Sequence, residues 1–382
     1  MIKAHKIRLH PTEEQKGYFA KAAGTARFVW NWALAEWNRQ YEAGERPTAL
    51  KLKKQFNKIR REQYPWTWEV TKNASDQPFL DLAKAWIAYF EGLKNGTKTG
   101  RPTFKSKKKS RPGFYLANDQ FELGDYRIWI PKLGWVNMAE KLRFTGKVTG
   151  ARLTRQADWW FVSVTVEVPD EFPLRKGRPS VGVDVGLNRL ATLSDGTEFE
   201  NQRFLKTALK KLRQANKRLH RRKPGSKNRE KARRKVARLH YKVACMREDV
   251  LQKLTTKAAN TFALVGIEDL HIKGLMKNRK LSRSFSDAAL GRLLRLLSMK
   301  VTHRGGVVVK VDRYFPSSQL CSRCGWRWKD IRLSDRVFVC KSCGLVADRD
   351  KNAALNLLQE AQRLVAAFPP CEVDHGTGSD GS

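Results

Sequence analysis

Apolar and polar residues alternate near the start of the chain and again between residues 114 and 168. Residues 3–9 alternate like a short strand, and residues 126–131 and 158–168 are typical of alternating or buried strands. Short turns separate these segments. The pattern predicts a small β-barrel that the N-terminal strand joins, with helices inserted between that strand and the others.

Between these strand segments, apolar residues recur at the 3.6-residue spacing of helices. A first helix is predicted to start near Pro11, where Thr12 is a candidate cap and Gln15 completes a capping box. Three more helices are predicted over residues 25–42, 49–62 and 76–93. Their aromatic residues follow the helical period, so we interpret them as core rather than as base-stacking surfaces.

Beyond residue 180 the pattern is that of an α/β domain. Strands are predicted over residues 181–185, 190–193, 262–267 and 307–311, and helices over 202–219, 228–259 and 286–303. The break at Lys223-Pro-Gly225 makes the first two of these helices a hairpin. Residues 170–179 are predicted to be a linker, and the Gly/Ser-rich residues 369–382 a disordered tail.

The charge balance indicates the partner. Lys and Arg number 76 against 37 Asp and Glu, a net charge of +39, which favours nucleic acid. No apolar run approaches the roughly 20 residues of a membrane span, and the first residues lack a signal-peptide core. We therefore expect a cytoplasmic protein without a membrane partner, whose cysteines are metal ligands rather than disulfides.

Two segments concentrate the positive charge. Residues 94–113 form a predicted cationic loop, and residues 203–247 hold 19 Lys and Arg and one acid, Glu230. Both could be solvated surfaces, but basic loops also supply sequence-independent affinity for phosphates. The candidate nucleic-acid contacts are Lys98, Arg101, Lys105, Lys107, Lys108 and Lys109 in the loop and Arg218, Arg221 and Arg222 in the hairpin.

The most specific local pattern is a pair of Cys-x2-Cys knuckles. Cys321 and Cys324 are followed, after fifteen residues, by Cys340 and Cys343, and a glycine follows each pair. This spacing is typical of a tetrahedral four-thiolate zinc ribbon. Four thiolates leave no open coordination position, so we expect one structural Zn²⁺. Cys245 and Cys371 have no partner pattern.

Three acidic residues lie at the ends of predicted elements in this basic chain: Asp184, Glu268 and Asp350. Carboxylates grouped at strand ends suit two Mg²⁺ or Mn²⁺ ions used for cutting a phosphodiester. Gly182 and Gly186 flank Asp184, which we interpret as leaving room for a metal and a phosphate. Asp350 could instead be only a helix cap, and Asp269 and Asp348 are rival ligands.

The motifs together identify a family. Gly182-Val-Asp-Val-Gly-Leu187, Gly266-Ile-Glu-Asp-Leu270, the two Cys-x2-Cys-Gly knuckles and Asp348-Arg-Asp-Lys-Asn-Ala-Ala354 closely resemble TnpB proteins. These are transposon-encoded relatives of type V CRISPR effectors. The N-terminal segment 6–32 and the basic turn 100–105 also resemble that family, so the resemblance covers nearly the whole chain.

The resemblance implies an RNA-guided DNA endonuclease. Its guide RNA derives from the right end of the transposon, and it finds double-stranded DNA beside a short transposon-associated motif. One RuvC-type site then cuts both strands. By residue match, Asp184, Glu268 and Asp350 are the catalytic triad and hold the Mg²⁺ ions. Lys72 and Gln77 are candidate contacts to the short motif because of their location near the start of a recognition helix.

The resemblance also implies a multidomain α+β architecture. We expect a wedge β-barrel over residues 1–10 and 96–170, with a helical recognition domain over 11–95 inserted into it. An RNase H-like α/β RuvC nuclease domain over 171–368 follows, carrying a four-cysteine zinc ribbon at 317–347, and the tail covers 369–382. No apolar interface stands apart from the core patterns, so we expect a monomer.

Three other functions would use some of the same motifs. An RNA-guided DNA-binding regulator that does not cut is expected to lose at least one acid, whereas all three are present. A transposase that joins strands needs machinery for pairing DNA ends, and no such signal is visible. A junction resolvase is typically a small symmetric dimer without a zinc ribbon. The residues therefore favour the nuclease.

Overall fold

The computed structural model describes residues 1–97, 99–169, 177–332 and 334–367. Lys98, most of the predicted linker and the predicted tail with Cys371 lie outside the described residues. The chain divides into two compact units, Met1–Asp170 and Glu171–Ser382. The first unit contains β1 (Ile2–His10), α1 (Glu13–Glu42), α2 (Ala49–Gln63), α3 (Asn73–Lys94), β2 (Gly113–Ala117), β3 (Glu122–Leu123), β4 (Arg127–Ile130), β5 (Gly134–Met138), β6 (Lys147–Gln156) and β7 (Trp159–Glu167).

The β-strands of the first unit form one seven-stranded sheet in the order β2-β6-β7-β1-β5-β4-β3. All neighbouring strands are antiparallel, and β1 lies in the middle of the sheet. Its residues pair with β7 from Ile2 opposite Glu167 to Arg8 opposite Phe161. The prediction that the N-terminal strand joins the later strands is confirmed. Closure of this sheet into a barrel stays a prediction.

Alternation along the strands places one face of this sheet in a core. Ile7 and Leu9 of β1 are buried, as are Val162 and Val164 of β7, while their neighbours along β1 are exposed. Phe19 of α1 packs into the same cluster. The period of two that predicted the strands is therefore also what builds the core.

Helices α1, α2 and α3 lie between β1 and β2 in the chain. The predicted capping box is present, because Thr12 Oγ1 accepts from Gln15 N and Thr12 N donates to Gln15 Oε1. The prediction of separate helices before and after residue 25 is wrong. One 30-residue helix, Glu13–Glu42, runs through because buried residues continue across the expected junction.

Aromatic packing joins the three helices. Trp37 and Trp86 stack with ring centroids 5.6 Å apart and planes 10° apart, and Phe56 and Phe79 are fully buried beside them. The interpretation of the helix aromatics as core is confirmed for these residues. Tyr41, at the end of α1, is exposed.

The second unit contains a five-stranded sheet, a helical hairpin and a small two-stranded ribbon. Its elements are β8 (Ser180–Asp184), β9 (Arg189–Leu193), β10 (Glu198–Glu200), α4 (Phe204–His220), α5 (Lys227–Thr261), β11 (Leu264–Glu268), α6 (Ile272–Lys277), α7 (Ser282–Ala288), α8 (Leu290–Thr302), β12 (Val307–Val311), β13 (Val337–Val339), β14 (Val346–Asp348) and α9 (Arg349–Ala367).

The strand order of the larger sheet is β10-β9-β8-β11-β12. Strands β10, β9 and β8 are antiparallel, whereas β8, β11 and β12 run parallel. In the parallel part Gly182 lies opposite Gly266, and Val183 opposite Ile267. The carboxyl ends of β8 and β11 therefore lie side by side.

The two faces of this sheet are covered by different helices. Val181 and Val183 belong to a core cluster with Leu254 of α5 and Leu297 of α8. The alternate residues face α9, since a Cβ atom built on Gly182 would lie 1.9 Å from the carbonyl oxygen of Ala354. Gly266 also meets α9, where a Cβ atom would lie 2.6 Å from the carbonyl oxygen of Leu357.

The close approach of α9 corrects one interpretation. The space in front of Gly182 does not hold a metal and a phosphate, because the backbone of α9 fills it. A glycine stands there because any side chain would push the helix off the sheet. Gly186 differs from Gly182, because a Cβ atom there would meet only the carbonyl oxygen of Arg189, at 3.2 Å, and the residue borders an open cleft.

The single helix predicted over residues 286–303 is two helices. Ala289 has a φ of 52° and separates α7 from α8. The buried carboxylate of Asp287 fixes α7 in place, because it accepts from the backbone nitrogens of Leu205 and Lys206 and pairs with Arg247.

None of the helices in the described part of the chain has both the length and the apolar character of a membrane span.

The contact between α9 and the sheet can be tested with Gly182→Ala. The added Cβ would overlap backbone atoms of Ala354 and Leu358 at 1.9 and 2.6 Å, and backbone cannot move aside cheaply. We expect a loss of about 3 kcal/mol or more in the unfolding free energy of the second unit, measured by denaturant titration. Gly291→Ala is the matched control, since its Cβ meets Ile272 side-chain atoms at 3.4 Å. Equal stability of the two variants would contradict the assignment.

Candidate active site and four-cysteine centre

The alternation of the strands brings two carboxylates to one place. Asp184 is the last residue of β8 and Glu268 the last of β11. Each lies two residues beyond a glycine that faces α9, so both side chains point to the α9 side of the sheet. Asp350 is the second residue of α9 and lies at the same edge. Strand register and helix packing together make these three acids neighbours.

The three carboxylates line one cleft with a volume of about 1500 Å³. Asp184 and Glu268 are partly buried there, as is Asp350. The rest of the lining is strongly cationic. The Lys and Arg residues of the cleft are Arg203, Lys206, Arg279, Lys280, Arg283, Arg313, Arg327, Arg336 and Arg349.

Burial and mutual repulsion perturb the acids. Burial raises the pKa of Asp184 to about 7, and the charges of Asp350 and Glu268 add to the rise, while Arg349 opposes it. Burial, followed by the charge of Asp269, also raises the pKa of Glu268. Carboxylates that are desolvated and close to one another favour a bound cation, which removes the repulsion between them.

The structure separates the roles of Asp348 and Asp350. Asp348 Oδ1 accepts from the backbone nitrogens of Asp350 and Lys351 at 3.0 and 3.1 Å, and its Oδ2 accepts from Arg189 at 2.8 Å. Although burial opposes it, these bonds hold the pKa of Asp348 below its usual range. Asp348 therefore caps α9, which leaves the Asp350 side chain to face the cleft.

Two arginines adjoin Asp350. Arg349 Nη2 lies 3.3 Å from Asp350 Oδ1, and Arg189 Nη1 lies 3.9 Å from Asp350 Oδ2. Arg189 also pairs with Glu198 at 2.9 Å. Neither arginine was predicted from the sequence as part of the site. Arg349 could have been noticed between the two aspartates of its motif, but nothing in the sequence connects Arg189 with a helix that starts 160 residues later.

Asp269 occupies a different position from Glu268. Its carboxylate pairs with Arg313 at 2.5 Å, is exposed and does not line the cleft. The hydrogen bond from Arg313 lowers the pKa of Asp269. Of the two neighbouring acids, Glu268 is therefore the one placed beside Asp184.

The predicted nucleic-acid contacts lie elsewhere. Of those that the structure describes, none lines the cleft with the carboxylates. Most are exposed: Lys72, Arg101, Lys107, Lys108, Lys109, Arg218, Arg221 and Arg222. The cationic residues of the cleft itself were missed, because they come from five separate stretches of sequence and form no local run.

Gln77 and Lys105 line a second pocket, of about 350 Å³, in the first unit. Gln77 donates to Asp81 at 2.9 Å, and Arg152 donates to the same carboxylate at 3.1 Å. Lys105 Nζ lies 3.4 Å from the ring centroid of Trp30. Burial lowers the pKa of Lys105 to about 8, so its charge is less available than that of an exposed lysine.

The four cysteines form a compact cluster. The sulfurs of Cys321, Cys324, Cys340 and Cys343 all lie within 4.8 Å of one another. The Cys321–Cys343 and Cys324–Cys340 sulfur separations are 3.6 and 3.5 Å. A zinc tetrahedron with bonds of about 2.3 Å has sulfurs about 3.8 Å apart, so the arrangement fits this ion.

Backbone geometry supports the same centre. Gly325 and Gly344 have φ values of 75° and 71°, which the knuckle turns require after each second cysteine. Among the described side chains no other group of three or more His, Cys, Asp or Glu residues brings its ligand atoms within 4.8 Å. Asp184, Glu268 and Asp350 do not form such a group, so at least one pair of these carboxylates is farther apart than any two of the sulfurs.

The cysteine cluster is tied to the helix that carries Asp350. The buried side chain of Asn352 accepts from Ser322 N at 3.0 Å and donates to the carbonyl of Leu320 at 2.6 Å. Asn356, one turn later, donates to the carbonyls of Ser317 and Leu320 at 2.7 Å. The first knuckle therefore rests on α9 directly beside the cleft.

Comparisons with known proteins agree with these features. Residues 163–279 match the family OrfB_IS605, described as "Probable transposase". Residues 291–357 match a "Cas12f1-like, TNB domain". Residues 1–46 match a family described as "Helix-turn-helix domain", although in this chain they form β1 and the single helix α1.

Two relatives align over almost the whole chain. "Putative RNA-guided DNA endonuclease InsQ" from Escherichia coli K12 is 30% identical, covering 96% of this chain and 94% of the relative. "Putative RNA-guided DNA endonuclease" from Streptomyces pristinaespiralis is 32% identical, covering 93% and 88%. The chain therefore belongs to the OrfB_IS605/TnpB family, and the resemblance inferred from the motifs is confirmed.

A solved structure, of the Cas12f1–sgRNA–target DNA complex, has a similar fold. It superposes with a TM-score of 0.57 at 18% identity and covers 91% of this chain and 83% of that chain. The overall architecture is thus the multidomain α/β fold of Cas12 and TnpB proteins.

The raised pKa of Asp184 predicts how the stability of the second unit depends on pH. The folded chain holds the Asp184 proton up to about pH 7, whereas an unfolded chain releases it near pH 4. The free energy that this retained proton adds to the stability of the folded chain is therefore fully present below about pH 4 and is lost as pH rises through 7. Asp184→Asn should therefore raise the unfolding free energy of the metal-free second unit at pH 8 by on the order of 2 kcal/mol. The corresponding rise in its unfolding temperature is about 4–8 °C.

The advantage of Asp184→Asn should shrink as pH falls towards 4. Mg²⁺ should raise the unfolding temperature of the wild type at pH 8 and not that of the variant. Asp249→Asn, which removes an exposed acid on α5, serves as the control. A wild-type unfolding temperature insensitive to both pH and Mg²⁺ would refute the electrostatic account.

The cysteine centre predicts a metal content. We expect one zinc per chain by elemental analysis, and none after Cys340→Ser, because a buried ligand is lost. The same substitution should lower stability, since zinc binding contributes folding free energy. Cys245→Ser, at an exposed cysteine on α5, should keep the zinc. Zinc retained in full by Cys340→Ser would exclude this centre.

Proposed function

We propose that this protein is an RNA-guided DNA endonuclease of the TnpB type. The observation that carries the proposal is the placement of Asp184, Glu268 and Asp350 in one cationic cleft, in a chain that belongs to this family. The guide is an RNA derived from the right end of the transposon. The target is double-stranded DNA beside a short transposon-associated motif, and both strands are cut.

The chemistry of the three side chains fits divalent metal. Carboxylate oxygens are the hard donors that Mg²⁺ and Mn²⁺ prefer. Burial raises the pKa values of Asp184 and Glu268, and a cation bound beside them would stabilise their charged forms. We assign Asp184, Glu268 and Asp350 as ligands of two such ions. When bound there, the ions supply activation of water and stabilisation of the leaving oxygen.

The protein's own groups perform the remaining tasks. Asp348 and Arg189 hold the first turn of α9, and with it the position of the Asp350 carboxylate. Arg349 balances part of the acidic charge before metal is bound. The Lys and Arg side chains of the cleft hold the phosphates of the strand, which keeps the scissile phosphate near the carboxylates.

Sequence recognition is delegated to base pairing with the guide. The protein needs a long, sequence-blind grip on phosphates, which its net charge of +39 supports. We assign this grip to the exposed basic residues of the loop 99–112 and of the α4–α5 hairpin. Lys72 and Gln77 are assigned to the short DNA motif, and the pocket beside Gln77 supports that position.

The domain assignments belong to the same proposal. The seven-stranded sheet with α1–α3 inserted after β1 supports a wedge domain over 1–10 and 96–170 and a recognition domain over 11–95. The strand order β10-β9-β8-β11-β12, antiparallel and then parallel, supports an RNase H-like RuvC domain over 171–368. The cysteine ribbon at 317–347 is its zinc-binding insertion, with a structural role.

The function is tested by cleavage of a plasmid. The chain is purified with RNA from its native transposon end, and the plasmid carries a guide-matched site beside randomised flanking bases. Guide-dependent cutting of both strands in Mg²⁺, abolished by EDTA, is the expected result. Guide-dependent binding without cutting would instead indicate a regulator, and cutting that ignores the guide would indicate a resolvase or transposase.

The assignment of the third acid is tested by comparing two aspartates. Asp350→Asn should lower the cutting rate at least about a thousandfold, because a metal ligand is lost. Asp348→Asn makes the same chemical change two residues away and keeps an oxygen that can cap α9, so its rate should stay within about tenfold of wild type. Guide RNA binding serves as the folding control for both. The reverse order of the two rates would transfer the catalytic role to Asp348.

A further inference from the structure

One aromatic side chain at the cleft remains unexplained by the fold. Tyr314 is 85% exposed, more than any other large hydrophobic residue among those the structure describes, and it lines the cleft of the three carboxylates. Burying a tyrosine ring stabilises a folded protein, yet this ring is left almost wholly in water. The ring therefore offers a free face at the site where the strand is cut.

The backbone around Tyr314 is well anchored. Its nitrogen donates to Asp312 Oδ1 at 2.8 Å, and Phe315 N donates to the carbonyl of Asp312 at 3.0 Å. The preceding residue, Arg313, is held by its ion pair with Asp269. The ring is thus presented from a fixed turn, so little backbone order has to be created when something binds to it.

The turn that carries Tyr314 lies close in the chain to the end of the strand that pairs with Glu268. Strand β12 ends at Val311, which pairs with Glu268, and Tyr314 follows three residues later. The cleft that the ring lines is cationic, and its lining includes Arg279 and Arg283 as well as Arg313. A flat exposed ring among side chains that bind phosphates is the combination that binds single-stranded nucleic acid, in which bases stack on the ring and phosphates pair with the cations.

We propose that Tyr314 stacks on a base of the DNA strand that enters the cleft, next to the phosphate to be cut. The inference rests on the proposed nuclease function and adds a binding residue to it. In a duplex the bases stack on one another, so the contact requires a strand that has been separated. Tyr314 therefore helps the cleft to select unpaired strand over duplex, without reading base identity, since every base has a π face.

The test uses the full chain with its guide RNA and four versions of position 314. Tyr314→Phe keeps the ring, Tyr314→Leu keeps an apolar side chain of similar bulk without a ring, and Tyr314→Ala removes both. Because the side chain is 85% exposed, the variants should unfold at the wild-type temperature. Met276→Ala, at an exposed residue that lines the same cleft, is the matched control.

The first readout is independent of cutting. Short single-stranded DNA carrying 2-aminopurine is titrated in EDTA, and its fluorescence falls when the base stacks on an aromatic ring. We expect quenching with wild type, Tyr314→Phe and Met276→Ala, and its loss with Tyr314→Leu and Tyr314→Ala. Affinity should fall between about fivefold and a hundredfold when the ring is removed. Equal quenching and affinity in Tyr314→Ala and wild type would overturn the proposal.

The second readout is cleavage of guide-matched DNA with a single abasic site moved along the strand. An abasic nucleotide at the contacted position should slow cutting by the wild type. Tyr314→Ala should slow cutting of intact DNA by about the same factor. When the Tyr314→Ala variant acts on DNA with that abasic site, its cutting rate should fall no further. Additive losses at every position would also overturn the stacking contact. If the wild type cuts nothing, the nuclease function fails, whereas the fluorescence readout still decides whether Tyr314 binds single-stranded DNA.

Discussion

The close contact between α9 and the strands β8 and β11 is the constraint on which the second unit depends. Gly182 and Gly266 lie opposite each other in the parallel pair and leave no side chain between the sheet and the helix. The first turn of α9 can therefore lie beside the ends of both strands. Asp184 and Glu268 lie two residues beyond those glycines on the same face, so the contact brings Asp350 to them.

This arrangement has an electrostatic cost that defines the site. Burial and proximity raise the pKa of Asp184 to about 7 in a chain that carries a net charge of +39. The chain thus concentrates negative charge at one point of a cationic cleft, and Arg349 and Arg189 offset only part of it. A divalent cation, if bound there as we propose, would relieve the remaining repulsion, and the surrounding Lys and Arg side chains suit a polyanionic strand.

The cysteine ribbon contributes to the same arrangement through its hydrogen bonds to α9. Asn352 and Asn356 are buried, and their amides satisfy backbone groups of the first knuckle and the segment before it. A buried amide that lost these partners would cost free energy, so ribbon and helix stabilise each other's position. The four-cysteine centre and the candidate active site therefore share one helix, and damage to the first is expected to displace Asp350.

The sequence alone determined most of the elements, the family and the candidate ligand residues, because these depend on local signals. Periods of two and 3.6 predicted β1, four of the five strands of the α/β sheet and the α4–α5 hairpin, and the cysteine spacing predicted the cluster that the structure contains. The tertiary structure decided that Gly182 faces a helix rather than a phosphate, that Asp348 is the cap while Asp350 faces the cleft, and that Arg189 adjoins both. It also assembled the cationic lining of the cleft and left Tyr314 exposed there. These outcomes depend on contacts between residues far apart in the chain, and no local pattern records which residues folding brings together.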